Sequence, residues 1–237
     1  MSVNKLGKRP SETPRVVAEN FVWKPIILTD SKGGSIRREC RSLHQIQWEI
    51  LSGATTQHYE NWIRRNLSSL RRLHKRIHFF LWTGTCDFTQ KVQKCIYLND
   101  NLEEAVKEYR DSIHRIKKLI TDSENVRITY LPIPYLSIET WNCVKRHTDT
   151  SAFKEQDKKL TEVIDTENSH LKDRNQRANT YAPNLNADFI RSRKSKGKKQ
   201  RYSINLKLLT DGVHPGANIA KAWSTSISRC IVYQCRQ

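Results

Sequence analysis

The stretch PIILTDSKGG, residues 25–34, decides how the rest of the chain is read. Ile26, Ile27 and Leu28 form an apolar run bounded by Pro25 on one side and by Asp-Ser-Lys-Gly-Gly on the other. Such a run is too short for a helix. Ended by turn chemistry, it reads as a strand, and glycines behind a strand end allow a tight turn into a helix.

The same grammar recurs downstream. QIQWEIL (45–51) alternates, with Ile46, Trp48 and Ile50 on one face, and breaks at SGATT (52–56). IHFFLW (77–82) is apolar except for His78 and runs into TGTCD (83–87). A strand buried on both faces has this composition. VRITYLPIP (126–134) reads as a further strand stopped by two prolines.

Helical patterns lie between these runs. IRRECRSLHQ (36–45) predicts a helix. From His58 to Arg76, apolar residues return every three or four positions while Arg64, Arg65, Arg71, Arg72, Lys75 and Arg76 fall mostly on other faces. A second amphipathic helix is predicted over 102–121 and a thinner one over 151–178. GANIAKAWSTSISRCI (216–231) reads as a closing helix. Alternating strands and helices predict a three-layer α/β fold with a mainly parallel sheet. In such folds chemistry gathers in the loops at the carboxyl ends of the strands, which is where TDSKGG, SGATT and TGTCD fall.

Composition bounds the partners. The chain has 237 residues, 42 Lys and Arg against 24 Asp and Glu, and a net charge of +18. A charge of that size bears on partners and solubility rather than on fold. Nucleic acid, an anionic membrane surface or an acidic protein are the classes it admits, beside a simply basic surface. Residues 1–20 read as a flexible basic arm and 21–237 as a single domain. Within that domain RSRKSKGKKQR (191–201) is too charged to pack and is expected to form a solvated loop. Its Arg191, Arg193, Lys194, Lys196, Lys198, Lys199 and Arg201 are the candidate nucleic-acid contacts, and the run also reads as a nuclear localisation signal or as an insertion with no address. Six scattered Cys without metal-site spacing predict reduced thiols and no metal or other cofactor. No apolar run approaches the roughly 18 residues that span a bilayer. A soluble, intracellular protein is the expectation, cytoplasmic or nuclear. Oligomeric state is left open.

The remaining motif is LLTDGVHPGANIAKAW (208–223), where Asp211 and His214 stand three residues apart. Nucleophilic hydrolysis needs a hydroxyl, a base, a group that orients the base and donors for the oxyanion. Ser31, His214 and Asp211 fit the first three roles, and the backbone at Ser31 and Gly53 fits the fourth. Singly each has a bland reading as a cap, a surface pair or a turn glycine. Jointly they form four blocks in order, each after an expected strand.

Those blocks resemble the SGNH hydrolase superfamily, the GDSL-like lipases and esterases. ILTDSKG (27–33) is similar to its first block, with Ser31 in the nucleophile position and Thr29 where a Gly is usual. SGATT resembles the second, with Gly53 as an oxyanion donor. TGTCD resembles the third, and LTDGVHPG (209–216) the last, with Asp211 and His214. The resemblance spans roughly residues 21–235. It implies a flavodoxin-like α/β/α fold and a serine esterase acting on small O-acyl esters, since no long apolar lid is visible. The third block departs from the family. Cys86 occupies the position of an Asn whose amide enters the oxyanion hole, and a thiol is a poor donor. Losing one such donor typically costs about 10²–10³ in rate. The alternative is therefore a catalytically weak or silent module of the same fold that binds nucleic acid or a protein. Esterase domains of this superfamily also resemble parts of some retrotransposon proteins, an analogy that admits a mobile-element origin.

Overall fold

The computed structural model describes residues 21–40, 45–193 and 201–236. In chain order it contains β1 (Lys24–Thr29), α1 (Lys32–Glu39), β2 (Gln47–Ile50), α2 (Thr56–Leu73) and β3 (Ile77–Trp82). A small hairpin follows, β4 (Thr89–Val92) and β5 (Cys95–Leu98), then α3 (Leu102–Thr121) and β6 (Val126–Tyr130). The chain continues through α4 (Ile138–Val144) and α5 (Phe153–Arg177), a second hairpin, β7 (Ile190–Arg193) and β8 (Arg201–Ile204), and closes with α6 (Ala217–Cys235).

Four strands build one parallel sheet in the order β2-β1-β3-β6. Ile26, Ile27 and Leu28 of β1 and Phe79 and Phe80 of β3 are all 0% exposed. Burying each such side chain contributes roughly 1.5–3 kcal/mol, and the two central strands supply most of the seam on which both helix layers pack. The chain steps one way from β1 to β2 and back past β1 to β3. Right-handed crossovers then put α1 on one face and α2 and α3 on the other. The packing agrees, with α1 against α6 and α2 against α3. The reversal of strand order lies at β1, so the sheet opens its crevice at the carboxyl ends of β1 and its neighbours.

Most elements fall where the sequence places them; five differ. The helix expected over 36–45 starts at Lys32 and ends at Glu39, while 41–44 lie outside the described residues. SKGG is thus the first helical turn and not a turn ahead of a helix. A Cβ on Gly33 would come 2.2 Å from Thr29 Cγ2, so this glycine serves close helix–strand contact. The strand expected over 126–134 stops at Tyr130. The hairpin at 89–98 and the short helix at 138–144 were not expected. Finally, the ends of the expected loop at 191–201 are strands, with Arg191 opposite Ser203 and Arg193 opposite Arg201. Ladder hydrogen bonds hold those ends whatever their side-chain charge. Lys194, Lys196, Lys198 and Lys199, like the arm 1–20, lie outside the described residues.

Candidate active site

Ser31 lies two residues past the end of β1, after Asp30, and stands at the N-cap of α1 in a helical conformation. Its placement is built from below. Tyr59 of α2 puts its hydroxyl 2.6 Å from Thr29 O and 2.8 Å from Glu49 O, and accepts from Leu51 N–H at 3.1 Å. One buried phenol therefore joins the carboxyl ends of β1 and β2. Leu51 N–H also donates to Thr29 O at 3.1 Å, which fixes the SGATT turn beside the serine. Gly53 sits in that turn at φ +74, a left-handed conformation that favours glycine.

The residues flanking Ser31 turn inward. Asp30 and Lys32 are each 2% exposed. Asp30 Oδ1 accepts the Lys32 N–H at 3.0 Å, and the Lys32 ammonium meets the other carboxylate oxygen. Nζ also lies 3.5 Å from Thr85 Oγ1 and 5.2 Å from the centre of the Trp82 ring. A desolvated ammonium is tolerable only when paired in this way. With both neighbours anchored below, Ser31 remains partly exposed above them.

The distant half of the site arrives on the loop before α6. Asp211 Oδ1 accepts the backbone N–H groups of Val213 at 3.0 Å and His214 at 2.8 Å. Its Oδ2 lies 2.7 Å from His214 Nδ1, and His214 Nε2 lies 2.9 Å from Ser31 Oγ. Burial alone would raise the Asp211 pKa, but the hydrogen bonds from His214 and Val213 outweigh it and hold the carboxyl below its ordinary value. An ionised carboxylate only accepts, so Nδ1 carries the proton and Nε2 presents its lone pair to the serine hydroxyl. Gly212, at φ +89, makes the tight turn of this loop. Its carbonyl accepts the Ser137 N–H at 2.7 Å, and a Cβ there would come 2.6 Å from Ser137 O. Ser137 is in turn held by Asp157, and Trp141 of α4 stands with its ring 5.9 Å from that of His214.

TGTCD closes the third side. Asp87 accepts from Thr56 N–H at 2.9 Å and Gly84 N–H at 3.0 Å, tying the loop after β3 to the start of α2. Burial pushes its pKa up to about 6, against the hydrogen bonds from Thr56 and Gly84. Cys86 is partly buried, with Sγ 3.9 Å from Asp30 Oδ2. Burial, and then the Asp30 charge, raise the thiol to about 12. It is protonated at neutral pH and is no nucleophile. All six Cys are unpaired thiols.

Solved structures share this arrangement of elements. A GDSL-like lipase from Bacteroides thetaiotaomicron superposes with a TM-score of 0.57 at 12% identity, over 98% of each chain. A candidate acylhydrolase from Bacteroides fragilis gives 0.56 at 12% identity, over 99% of this chain and 95% of its own. The chain has the SGNH hydrolase fold. A longer gut microbial diltiazem-metabolizing enzyme superposes with a TM-score of 0.57 at 15% identity, over 93% of this chain and 48% of its own. No family model and no curated sequence matches the chain.

On this SGNH frame the structure brings Ser31, His214 and Asp211 into one hydrogen-bonded chain, and sets Gly53 and Cys86 in the loops beside Ser31. Of the basic run, only Arg191, Ser192, Arg193 and Arg201 are among the described residues. Arg191 is half-buried, and its guanidinium lies 2.7 Å from the Asn205 side-chain oxygen once that amide is oriented to accept. Lys32, Tyr59 and Trp141 were not anticipated. Lys32 stood in plain view beside the serine, but nothing in its spacing marks a lysine as buried. No helix among the described residues is long and apolar enough to cross a membrane.

Proposed function

We propose that the chain is a serine ester hydrolase of the SGNH type that cleaves small O-acyl esters. The observation that carries this reading is the unbroken chain Asp211–His214–Ser31, with contacts of 2.7 and 2.9 Å. Aligned hydrogen bonds of that length between a partly exposed serine and an oriented imidazole are the geometry that general-base activation requires.

In the first half-reaction His214 Nε2 takes the Ser31 proton as Oγ attacks the acyl carbon. Backbone N–H groups at Ser31 and Gly53 stabilise the oxyanion. The imidazolium then protonates the departing alkoxide, leaving the acyl group on Oγ. In the second, His214 deprotonates a water that attacks the acyl carbon, and the proton returns to Oγ as the acid leaves. Asp211 stays ionised throughout and holds the tautomer. Gly212 keeps His214 in reach by packing on Ser137.

Cys86 favours a second reading, a module of the same fold with little or no turnover, because the thiol supplies no strong third donor. Hydrolysis of p-nitrophenyl acetate separates the two. The hydrolase reading expects turnover that falls at least about 10³-fold in Ser31→Ala and His214→Ala. Equal rates in all three proteins would leave only the silent module.

A further inference from the structure

A groove of about 430 Å³ runs between α3 and α5, outside the site just described. Two rows of cationic or imidazole side chains line it. Arg110, His114 and Lys117 come from α3, and His170, Arg174 and Arg177 from α5. Each row has the spacing i, i+4, i+7, which keeps its members on one helix face. The ion pair between Arg110 and Glu167, 2.6 Å, fixes the register in which the two rows lie side by side.

Only two carboxylates line the groove, Glu167 and Asp173. Glu167 is 1% exposed and already accepts both Arg110 Nε and its terminal nitrogen. Among the described residues Lys117, Arg174 and Arg177 have no ion-pair partner. By contrast, Arg64 and Arg115, on the same side of the sheet, share Glu60. Three unpaired cations thus line one concave strip on a chain of net charge +18. From Arg110 to Lys117 the strip is about 10 Å long. With 3.4 Å of axis per phosphate on one strand, that accommodates about three phosphates.

We infer that the α3–α5 groove is a docking strip for the phosphodiester backbone of nucleic acid. Its cations contact phosphates and carry no sequence preference. The strip is independent of ester hydrolysis, and Ser31→Ala binds as the unaltered chain does.

The test is fluorescence anisotropy of a labelled 20-nucleotide oligothymidylate with the full chain between 50 and 200 mM NaCl. A second protein carries K194Q, K196Q, K198Q and K199Q, which removes the other basic run from the comparison. In both backgrounds Lys117→Gln with Arg174→Gln and Arg177→Gln is expected to weaken binding at least tenfold at 50 mM salt. The slope of log K against log salt should flatten by about 2, near 0.7 for each cation lost on a single strand. The exposed single changes Lys117→Gln and Arg177→Gln should each flatten it by about 0.7, which keeps the reading testable if the triple variant misfolds. Absence of binding by the full chain at 50 mM salt would overturn the inference. So would affinities and slopes unchanged by the groove substitutions, or equal displacement of the oligonucleotide by polyglutamate at matched charge, which would make the strip a site for acidic protein.

Discussion

Lys32 Nζ lies 2.5 Å from Asp30 Oδ2, and the serine between these two residues in sequence is the one that meets His214. The pair is buried, so removing one partner leaves the other charged and unsolvated. Lys32→Met is expected to destabilise the fold by about 3–5 kcal/mol, and Asp30→Asn with Lys32→Met by far less. Urea unfolding of the three proteins checks this. Equal losses in the single and double variants would mean that pairing is not what holds the ammonium there.

Gly212 tests whether loop geometry, apart from chemistry, sets the reactivity of His214. An alanine Cβ meets Ser137 O at 2.6 Å and Trp141 N at 2.8 Å, at a φ of +89. The loop must shift, and a shift of about 1 Å can cost about 10² in rate. Gly212→Ala is expected to lower kcat for p-nitrophenyl acetate by about that factor while the far-ultraviolet circular dichroism stays unchanged.

Cys86 tests the oxyanion side. Replacing the thiol with an amide at the family's donor position is expected to raise kcat about tenfold to a hundredfold, with KM little changed, because the new donor acts on the transition state. Steady-state kinetics of Cys86→Asn check it.

Asp87 and Asp211 should pull stability in opposite directions with pH. The Asp87 pKa is raised to about 6 from 3.8, so the folded chain holds a proton there that the unfolded chain has released. Its contribution is full below pH 3.8 and is lost as pH rises through about 6, by on the order of 3 kcal/mol. The lowered Asp211 pKa contributes above its unfolded value and loses that contribution as pH falls. Asp87→Asn should remove the decline between pH 4 and 6.5, read from urea midpoints across that range.

The strands of the sheet and the three residues of the Asp211–His214–Ser31 chain were legible because they depend on local pattern. Apolar runs at 26–28 and 77–82 end in turn residues, and Asp211 and His214 carry their own loop. What was hidden depends on tertiary context or on unusual backbone. The 89–98 hairpin turns on Gln93 at φ +54, where Gly or Asn would have signalled a tight turn. The start of α1 was misplaced because Gly33 and Gly34 read as a break, although Gly33 is required by its contact with Thr29. The burial of Lys32 follows from Trp82, Thr85 and Asp30 converging on it, which no spacing in the chain encodes. The charge of RSRKSKGKKQR gave no sign that its ends would pair as strands.

Covalent labelling of Ser31 reaches the central claim most directly. The intact chain is incubated with a fluorophosphonate, its mass is measured, and the modified peptide is mapped. A mass increase of one adduct on Ser31, abolished in Ser31→Ala and strongly slowed in His214→Ala, is the predicted result. A folded protein that stays unlabelled, or one labelled equally after Ser31→Ala, would contradict it.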